Sequence, residues 1–225
     1  MECPRAATKD VQIFLRLVGM TPTSAHQPRF RCHFPTILLK SARDSEALMK
    51  NIVYFDLETQ KSAGEVGGWD NVSRMGMSVG VTYKPASSQY KIYSEGQIDD
   101  LIRELQRADL IVGFNHLRFD YEVLHGYTAL DLRQLPSLDL MIDLQTRLQH
   151  RLSLDAIATA TFGVQKPNDG VQALQWFKQG KLLEIAEYCC YDVKLTWLVH
   201  EYGVQHRHLF YHNRFGAKLS VGVRW

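Results

Sequence analysis

Three strand-like segments follow one another closely in this chain, and after them strands alternate with helices. Apolar or alternating runs predict strands at 52–57, 77–83 and 90–93, with a turn around Pro85 to Ser88, and further strands at 110–115 and 137–144. The order is three strands, a helix, a strand, a helix and a strand, followed by further helices. It predicts an α/β fold with a five-stranded mixed sheet flanked by helices.

Helix boundaries are marked by capping residues and glycines. Ser94 and Gln97 form a capping box before a helix that ends near Ala108, and Ser153 caps a helix that stops at Gly163. The remaining helices are predicted from about Arg118, over 171–179 before Gly180, and over 181–202 before Gly203.

Two carboxylates stand where the first buried strand should end, in the stretch YFDLETQ. Asp56 and Glu58 are two residues apart, so on a strand both side chains project from the same face. A buried strand gains nothing from two such charges in its own packing. They therefore indicate a shared site near the end of the strand.

Two later segments supply further polar groups. In GFNHLRFD, Asn115 closes the fourth predicted strand and Asp120 falls in the first turn of the next helix, a place where open sheets commonly build sites. In YCCYD, Tyr188 and Asp192 are four residues apart on the last long helix, so they lie on one helix face. The chain thus offers four carboxylates and a phenol to one site.

Four converging carboxylates repel one another unless cations hold them together. Oxygen ligands without accompanying cysteine or histidine suit Mg²⁺ or Mn²⁺ rather than zinc. Two such ions about 3.5–4 Å apart can activate a water and stabilise the leaving oxygen of a phosphodiester. The residues therefore predict metal-dependent phosphodiester hydrolysis with two Mg²⁺ or Mn²⁺ ions.

The segments DLET (56–59), NHLRFD (115–120) and YCCYD (188–192) resemble the three exonuclease motifs of the DEDD superfamily in its tyrosine-bearing subtype. The resemblance extends over residues 50–202. In this region the chain is similar to YprB-type proteins of ribonuclease H-like fold and to the 3′→5′ proofreading domains of family-B DNA polymerases. In the histidine subtype the general base stands five residues before the last aspartate, where this chain has Glu187. The tyrosine subtype is favoured.

The resemblance implies a role for each matching residue. Asp56, Glu58, Asp120 and Asp192 would bind the two metal ions, and Tyr188 would orient or deprotonate the attacking water. Thr59 and Asn115 match positions that help to hold the terminal nucleotide. The implied fold is ribonuclease H-like, and the implied activity is a 3′→5′ exonuclease acting on the 3′ end of single-stranded DNA or RNA.

Two other functions use the same residues. One is a structure-directed endoribonuclease with the same site, and the other is a non-catalytic nucleic-acid-binding module of the same fold. Loss of a carboxylate would favour the binding module, and none is lost here. Trp69, in the long loop after the first strand, either stacks on a base or packs within the loop. Cys189 and Cys190 are expected to fill space between helices.

Charge is distributed unevenly along the 225 residues. The net charge is +2 overall, yet residues 49–202 hold 20 Asp/Glu against 15 Lys/Arg, while residues 203–225 hold four Lys/Arg and no Asp/Glu. Part of the central negative charge is the predicted metal site itself. Phosphate contacts are therefore expected from Arg118, Lys166, Lys194 and the basic C-terminal tail, residues 203–225.

Composition excludes a membrane-spanning protein. No apolar run approaches the roughly 18 residues that a membrane span requires, and the first residues lack the features of a secretory signal. The four cysteines show neither a disulfide framework nor a zinc spacing. We expect a cytoplasmic protein.

The first 48 residues differ from the remainder. They contain four prolines and little sustained apolar periodicity, so residues 1–48 are expected to be a disordered extension. Met49 precedes a strand in the manner of a domain start. Either translation begins there, or residues 1–48 are a genuine flexible or targeting extension. The exonuclease domain is predicted over residues 49–202.

A chain that starts at Met49 should therefore retain both its fold and its nuclease activity, because no motif lies before that residue. Melting temperature and nuclease activity, compared between the full chain and the shortened one, test this expectation. A large drop in either value would show that residues 1–48 are integral to the domain.

Overall fold

The computed structural model describes residues 51–164 and 170–225. The predicted extension, residues 1–48, lies outside them. In chain order the elements are β1 (Ile52–Thr59), α1 (Ala63–Val66), β2 (Met77–Lys84), β3 (Gln89–Ser94), α2 (Ile98–Gln106), β4 (Leu110–Gly113), α3 (Asp120–Leu124), β5 (Ser137–Asp139), α4 (Leu140–Leu148), α5 (Leu154–Phe162), α6 (Gly170–Lys178), α7 (Leu182–His206), β6 (His208–His212) and β7 (Lys218–Gly222). Short 3₁₀ helices cover Trp69–Arg74, Glu95–Gln97 and Leu132–Gln134.

Strands β1 to β5 form one sheet with the order β3-β2-β1-β4-β5. β1 runs antiparallel to β2 and parallel to β4, β2 runs antiparallel to β3, and β4 runs parallel to β5. The five-stranded mixed sheet flanked by helices is therefore confirmed. So are the capping box of Ser94 and Gln97, the Ser153 cap of α5, and the end of α5 at Gly163, which has φ 72°.

The central strand β1 has two faces with different tasks. Val53, Phe55 and Leu57 point into an apolar core together with buried side chains of α2 that include Leu101 and Leu105. The alternate residues of β1 point to the opposite face of the sheet, since successive side chains on a strand alternate. Residues on that second face, such as Tyr54, contact helix α7. Helix α2 thus covers one side of β1, and α7 covers the other.

Helix α7 is attached to β1 by a buried polar contact. The hydroxyl of Tyr54 donates to Glu201 Oε1 at 3.1 Å and lies 2.7 Å from His200 Nδ1. Burial lowers the pKa of His200 to about 4, so the imidazole is neutral at neutral pH. The tautomer of the His200 imidazole decides whether Nδ1 donates to the Tyr54 oxygen or accepts from its hydroxyl. This contact fixes the helix across the strand.

The segment predicted as a fifth strand over 137–144 is a strand only at Ser137–Asp139. From Leu140 the chain is helical, because the Asp139 carboxylate accepts hydrogen bonds from the amides of Met141 and Ile142 and caps α4. The helix predicted from about Arg118 likewise begins only at Asp120.

The long helix continues past its predicted end at 202. Gly203 lies against Trp225, and a Cβ at this position would come within 2.5 Å of the indole ring, so glycine here allows close packing rather than ending the helix. The helix ends at His206, and Arg207 adopts a left-handed conformation with φ 62°. Residues after it do not form a simple tail, because β6 and β7 pair as an antiparallel hairpin.

Of the helices that the structure describes, none has both the length and the apolar character needed to cross a membrane.

Replacing Tyr54 with phenylalanine should destabilise the fold by about 1–3 kcal/mol, because His200 and Glu201 then lose a buried hydrogen-bond partner. Urea unfolding at neutral pH measures the change. Tyr90→Phe is the matched control, since the Tyr90 hydroxyl has no hydrogen bond to a described residue, and it should change the stability by less than about 0.5 kcal/mol. Equal effects of the two substitutions would contradict the proposed attachment of α7.

Candidate active site

Strand β1 carries Asp56 and Glu58 on the face that α7 covers. Asp56 lies opposite Val81 of β2 and Glu58 lies opposite Val79, and the register shifts between Glu58 and Thr59. Both carboxylates are half-buried. The expectation that they share one face near the end of the strand is met by this geometry.

Helix α7 brings Asp192 to the same place. One carboxylate oxygen from each of Asp56, Glu58 and Asp192 lies within 4.8 Å of the other two, and Asp192 is only 8% exposed. Three carboxylates at this separation suit a divalent cation, because hard oxygen ligands are what Mg²⁺, Mn²⁺ and Ca²⁺ prefer. We call these three residues the acidic cluster. They could hold a metal ion.

Asp120 lies beside the acidic cluster but is not part of it by the same distance criterion. Its side chain is buried at the start of α3, and Oδ1 accepts a hydrogen bond from the amide of Leu57 at 3.0 Å. Strand β4 pairs with β1 only as far as Tyr54, so the carboxylate satisfies an amide beyond the end of the β1–β4 pairing. Burial raises the pKa of Asp120, and the negative charge of Asp192 contributes to the same shift.

Tyr188 and Asp192 are both buried, one turn apart on α7. The indole of Trp176, from α6, meets the Tyr188 ring edge-on with 6.3 Å between ring centroids. Tyr191 lies on a different side of the helix and is partly exposed. Helix α6 therefore bounds the site on the side of Tyr188.

Asn115 lies in the loop that follows β4, and Thr59 is the last residue of the neighbouring strand β1. Asn115 has φ 71°, and its buried Oδ1 has no hydrogen-bond partner among residues 51–164 and 170–225. Such an acceptor is available to a ligand. The Thr59 hydroxyl instead donates to the backbone oxygen of Lys61 at 3.1 Å, within its own turn.

Asp139 was not predicted from the sequence as a residue of this region. Beyond capping α4, its carboxylate accepts hydrogen bonds from the amides of Asn115 at 2.9 Å and Leu117 at 3.0 Å. His116 is fully buried beside it, with 3.6 Å between Nδ1 and Asp139 Oδ2, and burial lowers the pKa of the imidazole. Asp139 thus ties the loop that carries Asn115 to the start of α4. Its helix-capping position was the available signal.

Cys189 is the second residue that sequence reasoning did not assign to the site. Its thiol is fully buried and lies 3.4 Å from both the backbone oxygen and Oδ2 of Asp56. Burial raises the pKa of Cys189 well above its usual value, and the charges of the acidic cluster raise it further. The group is therefore a neutral thiol that can donate to Asp56, rather than only a filler between helices.

The residues expected to contact substrate differ in their exposure. Trp69 is 72% exposed and meets the Phe119 ring edge-on at 6.4 Å between ring centroids. Arg118 is exposed and donates to Gln145 Oε1 at 3.0 Å. Lys194 is half-buried on α7, whereas Lys166 lies outside the described residues. At this exposure the indole is not packed within the loop.

A comparison with curated proteins found no significant match. A comparison with protein families found a match over residues 53–204 to the model described as the RNase H superfamily. This region includes every residue of the acidic cluster, Asp120 and Tyr188, and it covers more than half of the chain. The chain belongs to the RNase H superfamily, whose members are usually metal-dependent nucleases.

Proposed function

We propose that the protein is a two-metal 3′→5′ exonuclease that hydrolyses single-stranded nucleic acid, of the tyrosine-bearing DEDD subtype. The observation that carries the proposal is the acidic cluster, in which Asp192 joins two carboxylates more than 130 residues earlier in the chain. The first and third motifs meet in this cluster, and Asp120 of the second motif lies against Leu57, between Asp56 and Glu58. Membership of a nuclease superfamily supports the same reaction class.

The carboxylates hold the metal ions in this proposal. Asp56, Glu58 and Asp192 supply oxygen ligands, and Asp120 acts as the fourth carboxylate from its position against Leu57. When Mg²⁺ or Mn²⁺ is bound, it makes water a better nucleophile at neutral pH and stabilises the charge that develops on the leaving oxygen. The residue types at the site fit this requirement, since all four are oxygen donors.

Tyr188 orients the attacking water and accepts its hydrogen bond. Trp176 packs against the ring and α7 carries the residue, so the phenol is held in one orientation. Cys189 donates to Asp56 and so helps to fix the orientation of that carboxylate. Catalysis then depends mainly on groups that are positioned before the substrate arrives.

The substrate end lies between the loops after β1 and β4. The buried Oδ1 of Asn115 accepts a hydrogen bond from the terminal nucleotide, and Thr59 borders the same place. Trp69 stacks on a base next to Phe119. These contacts would select a strand end that can be separated from its complement.

The assay that tests the proposal uses strands labelled at the 5′ end, in DNA and in RNA, with Mg²⁺, Mn²⁺ or chelator. A 3′→5′ exonuclease shortens a linear strand stepwise and leaves a circular strand intact. Cleavage of the circle would instead support the endonuclease that shares these residues. Binding of both strands without any cleavage would support the non-catalytic module.

Loss of Asp192 should remove metal binding and activity together. In Asp192→Asn we expect activity to fall more than about 100-fold, because a metal ion contributes several kcal/mol to the stabilisation of the transition state. Calorimetric titration with Mn²⁺ measures binding independently of activity. Asp99→Asn, a change of the same kind at an exposed position of α2, should leave both values unchanged. Full activity in chelator would contradict the metal-dependent mechanism.

Tyr188→Phe should slow single-turnover hydrolysis by roughly 100-fold or somewhat more, because the phenol oxygen that orients the water is lost. Binding of Mn²⁺ and of the strand should remain nearly unchanged. Tyr191→Phe provides the control on the same helix and should be close to neutral, since Tyr191 lies off the face that carries Asp192. The reverse result, with activity lost only in Tyr191→Phe, would reject the tyrosine-subtype assignment.

A further inference from the structure

The C-terminal segment of the described chain concentrates positive charge on a folded element. Residues 207–225 comprise the hairpin of β6 and β7 and its flanking residues, and we call them the basic hairpin. It contains Arg207, Arg214, Lys218 and Arg224 and no carboxylate side chain. Residues 49–202 have a net charge of −5 by contrast. The charge of the domain is therefore polarised between two regions.

The basic hairpin is fixed to the domain by specific contacts. Thr161 Oγ1 of α5 lies 3.2 Å from the amide nitrogen and 3.3 Å from the carbonyl oxygen of Phe210. Trp225 donates its indole N–H to Asp143 Oδ2 of α4 at 2.8 Å and stacks on His200 of α7. These contacts to three helices present the hairpin in one orientation. The backbone that carries its cations is consequently anchored to the domain.

The two sides of the hairpin differ in exposure. Leu209, Tyr211 and Val221 are buried against the domain. On the other side the register places Phe210 opposite Ser220 and His212 opposite Lys218. Neighbouring residues on one strand point to opposite faces, so Phe210 and His212 belong to the side away from the domain.

Cations stack on aromatic rings on this side of the hairpin and in the connection between its two strands. Lys218 Nζ lies 4.5 Å from the centroid of the Phe210 ring, and Arg214 Cζ lies 4.7 Å from that of Phe215. Phe215 is 78% exposed. Aromatic faces combined with positive charge are the elements with which proteins bind single-stranded nucleic acid, through base stacking and phosphate contacts.

A cleft of about 620 Å³ lies at the base of the hairpin and is lined by Arg147, Arg207, Gly222, Val223 and Arg224. Arg147 is paired with Asp143 through two hydrogen bonds. Arg207 uses Nη1 to donate to the backbone oxygen of Trp225 at 2.8 Å. A guanidinium carries five N–H groups, so Arg207 and Arg224 retain donors for phosphate oxygens.

The helix that carries Asp192 leads directly to the hairpin. Asp192 and His206, where α7 ends, are fourteen residues apart on the helix. At 1.5 Å per residue this is about 21 Å along the helix axis. A strand of several nucleotides is long enough to span that distance.

We propose that the basic hairpin binds the backbone and bases of a single nucleic-acid strand, upstream of the end that lies at the acidic cluster. This proposal rests on the proposed function, because it assumes that the substrate is nucleic acid. The hairpin supplies affinity for longer strands, whereas the acidic cluster acts on the terminal linkage. The positive charge of the hairpin would also attract an acidic protein segment. The test below asks whether the hairpin binds nucleic acid.

The test compares Arg214→Ala/Arg224→Ala with Arg103→Ala/Arg107→Ala in the full chain. Both double variants remove two exposed arginines, but the second pair lies on and next to α2, on the opposite face of the sheet. Binding of labelled DNA and RNA strands of about 30 and about 4 nucleotides is measured by fluorescence anisotropy, in chelator and over a range of salt concentrations. Hydrolysis of the short strand is measured separately with Mg²⁺ or Mn²⁺.

In the hairpin variant we expect affinity for the long strand to fall about tenfold or more at low salt, and the slope of log affinity against log salt to become shallower by about 1.4, for two lost phosphate contacts. Hydrolysis of the short strand should be unchanged, as should both properties in the α2 variant. Arg214→Lys/Arg224→Lys should retain most of the affinity, because charge is conserved. Phe215→Ala should weaken binding without changing the salt slope, since it removes only a stacking surface.

Several outcomes would overturn the inference. The inference is wrong if the hairpin variant binds the long strand with the affinity and the salt slope of the wild type. This holds even if the enzyme hydrolyses the short strand. A wild-type protein that binds neither strand would reject the hairpin proposal, whereas the proposed exonuclease would then be decided separately by hydrolysis of the short strand with Mg²⁺ or Mn²⁺. Hairpin-dependent binding without any hydrolysis would support this inference and reject the proposed exonuclease.

Discussion

The position of helix α7 across strand β1 is the constraint on which the site depends. β1 carries Asp56 and Glu58, α7 carries Tyr188 and Asp192, and nothing in the local sequence of either element brings them together. The contact of Tyr54 with His200 and Glu201 ties the two elements eight to nine residues beyond Asp192 on the helix. Because a helix is stiff over this length, the contact restrains the rotation of the acidic face.

That restraint has to oppose a repulsion. Three carboxylate oxygens within 4.8 Å of one another favour separation of β1 and α7 when all are charged and no cation is present. The neutral Cys189 thiol reduces this repulsion from the helix side, because it donates to Asp56. The Leu57 amide stabilises the negative charge of Asp120 in the same way. Apolar packing elsewhere in the domain thus offsets the electrostatic free energy of bringing the carboxylates together, and the assembled cluster favours binding of a cation.

Much of the fold could be predicted from the sequence, because the strands β1 to β4 have clear apolar patterns and the helices α2 and α5 have caps that depend on adjacent residues. The segment after Ser137 was assigned wrongly over most of its length, since an apolar run of eight residues suits a strand or a helix equally well. Its helical state is decided by the Asp139 cap. The hairpin β6–β7 was missed because its strands are short and polar on one side, and contacts from Thr161 and Trp225 stabilise it.

The site shows a similar division. Motif spacing was sufficient to predict that Asp56, Glu58 and Asp192 would meet. It could not reveal that Asp120 would bond to the Leu57 amide, that Asp139 would hold the Asn115 loop, or that Cys189 would face Asp56. Each of these contacts joins residues distant in sequence, and each depends on how the strands end rather than on a local pattern.

The alternation of apolar and acidic side chains along β1 limits which insertions and deletions this domain can accept during evolution. One strand supplies the apolar core through Val53, Phe55 and Leu57 and the acidic face through the residues between them. An insertion or deletion of one residue before Asp56 would exchange the two faces, placing carboxylates in the core and apolar groups at the metal ligands. A one-residue shift of this strand would therefore disrupt the apolar core and the acidic face at the same time.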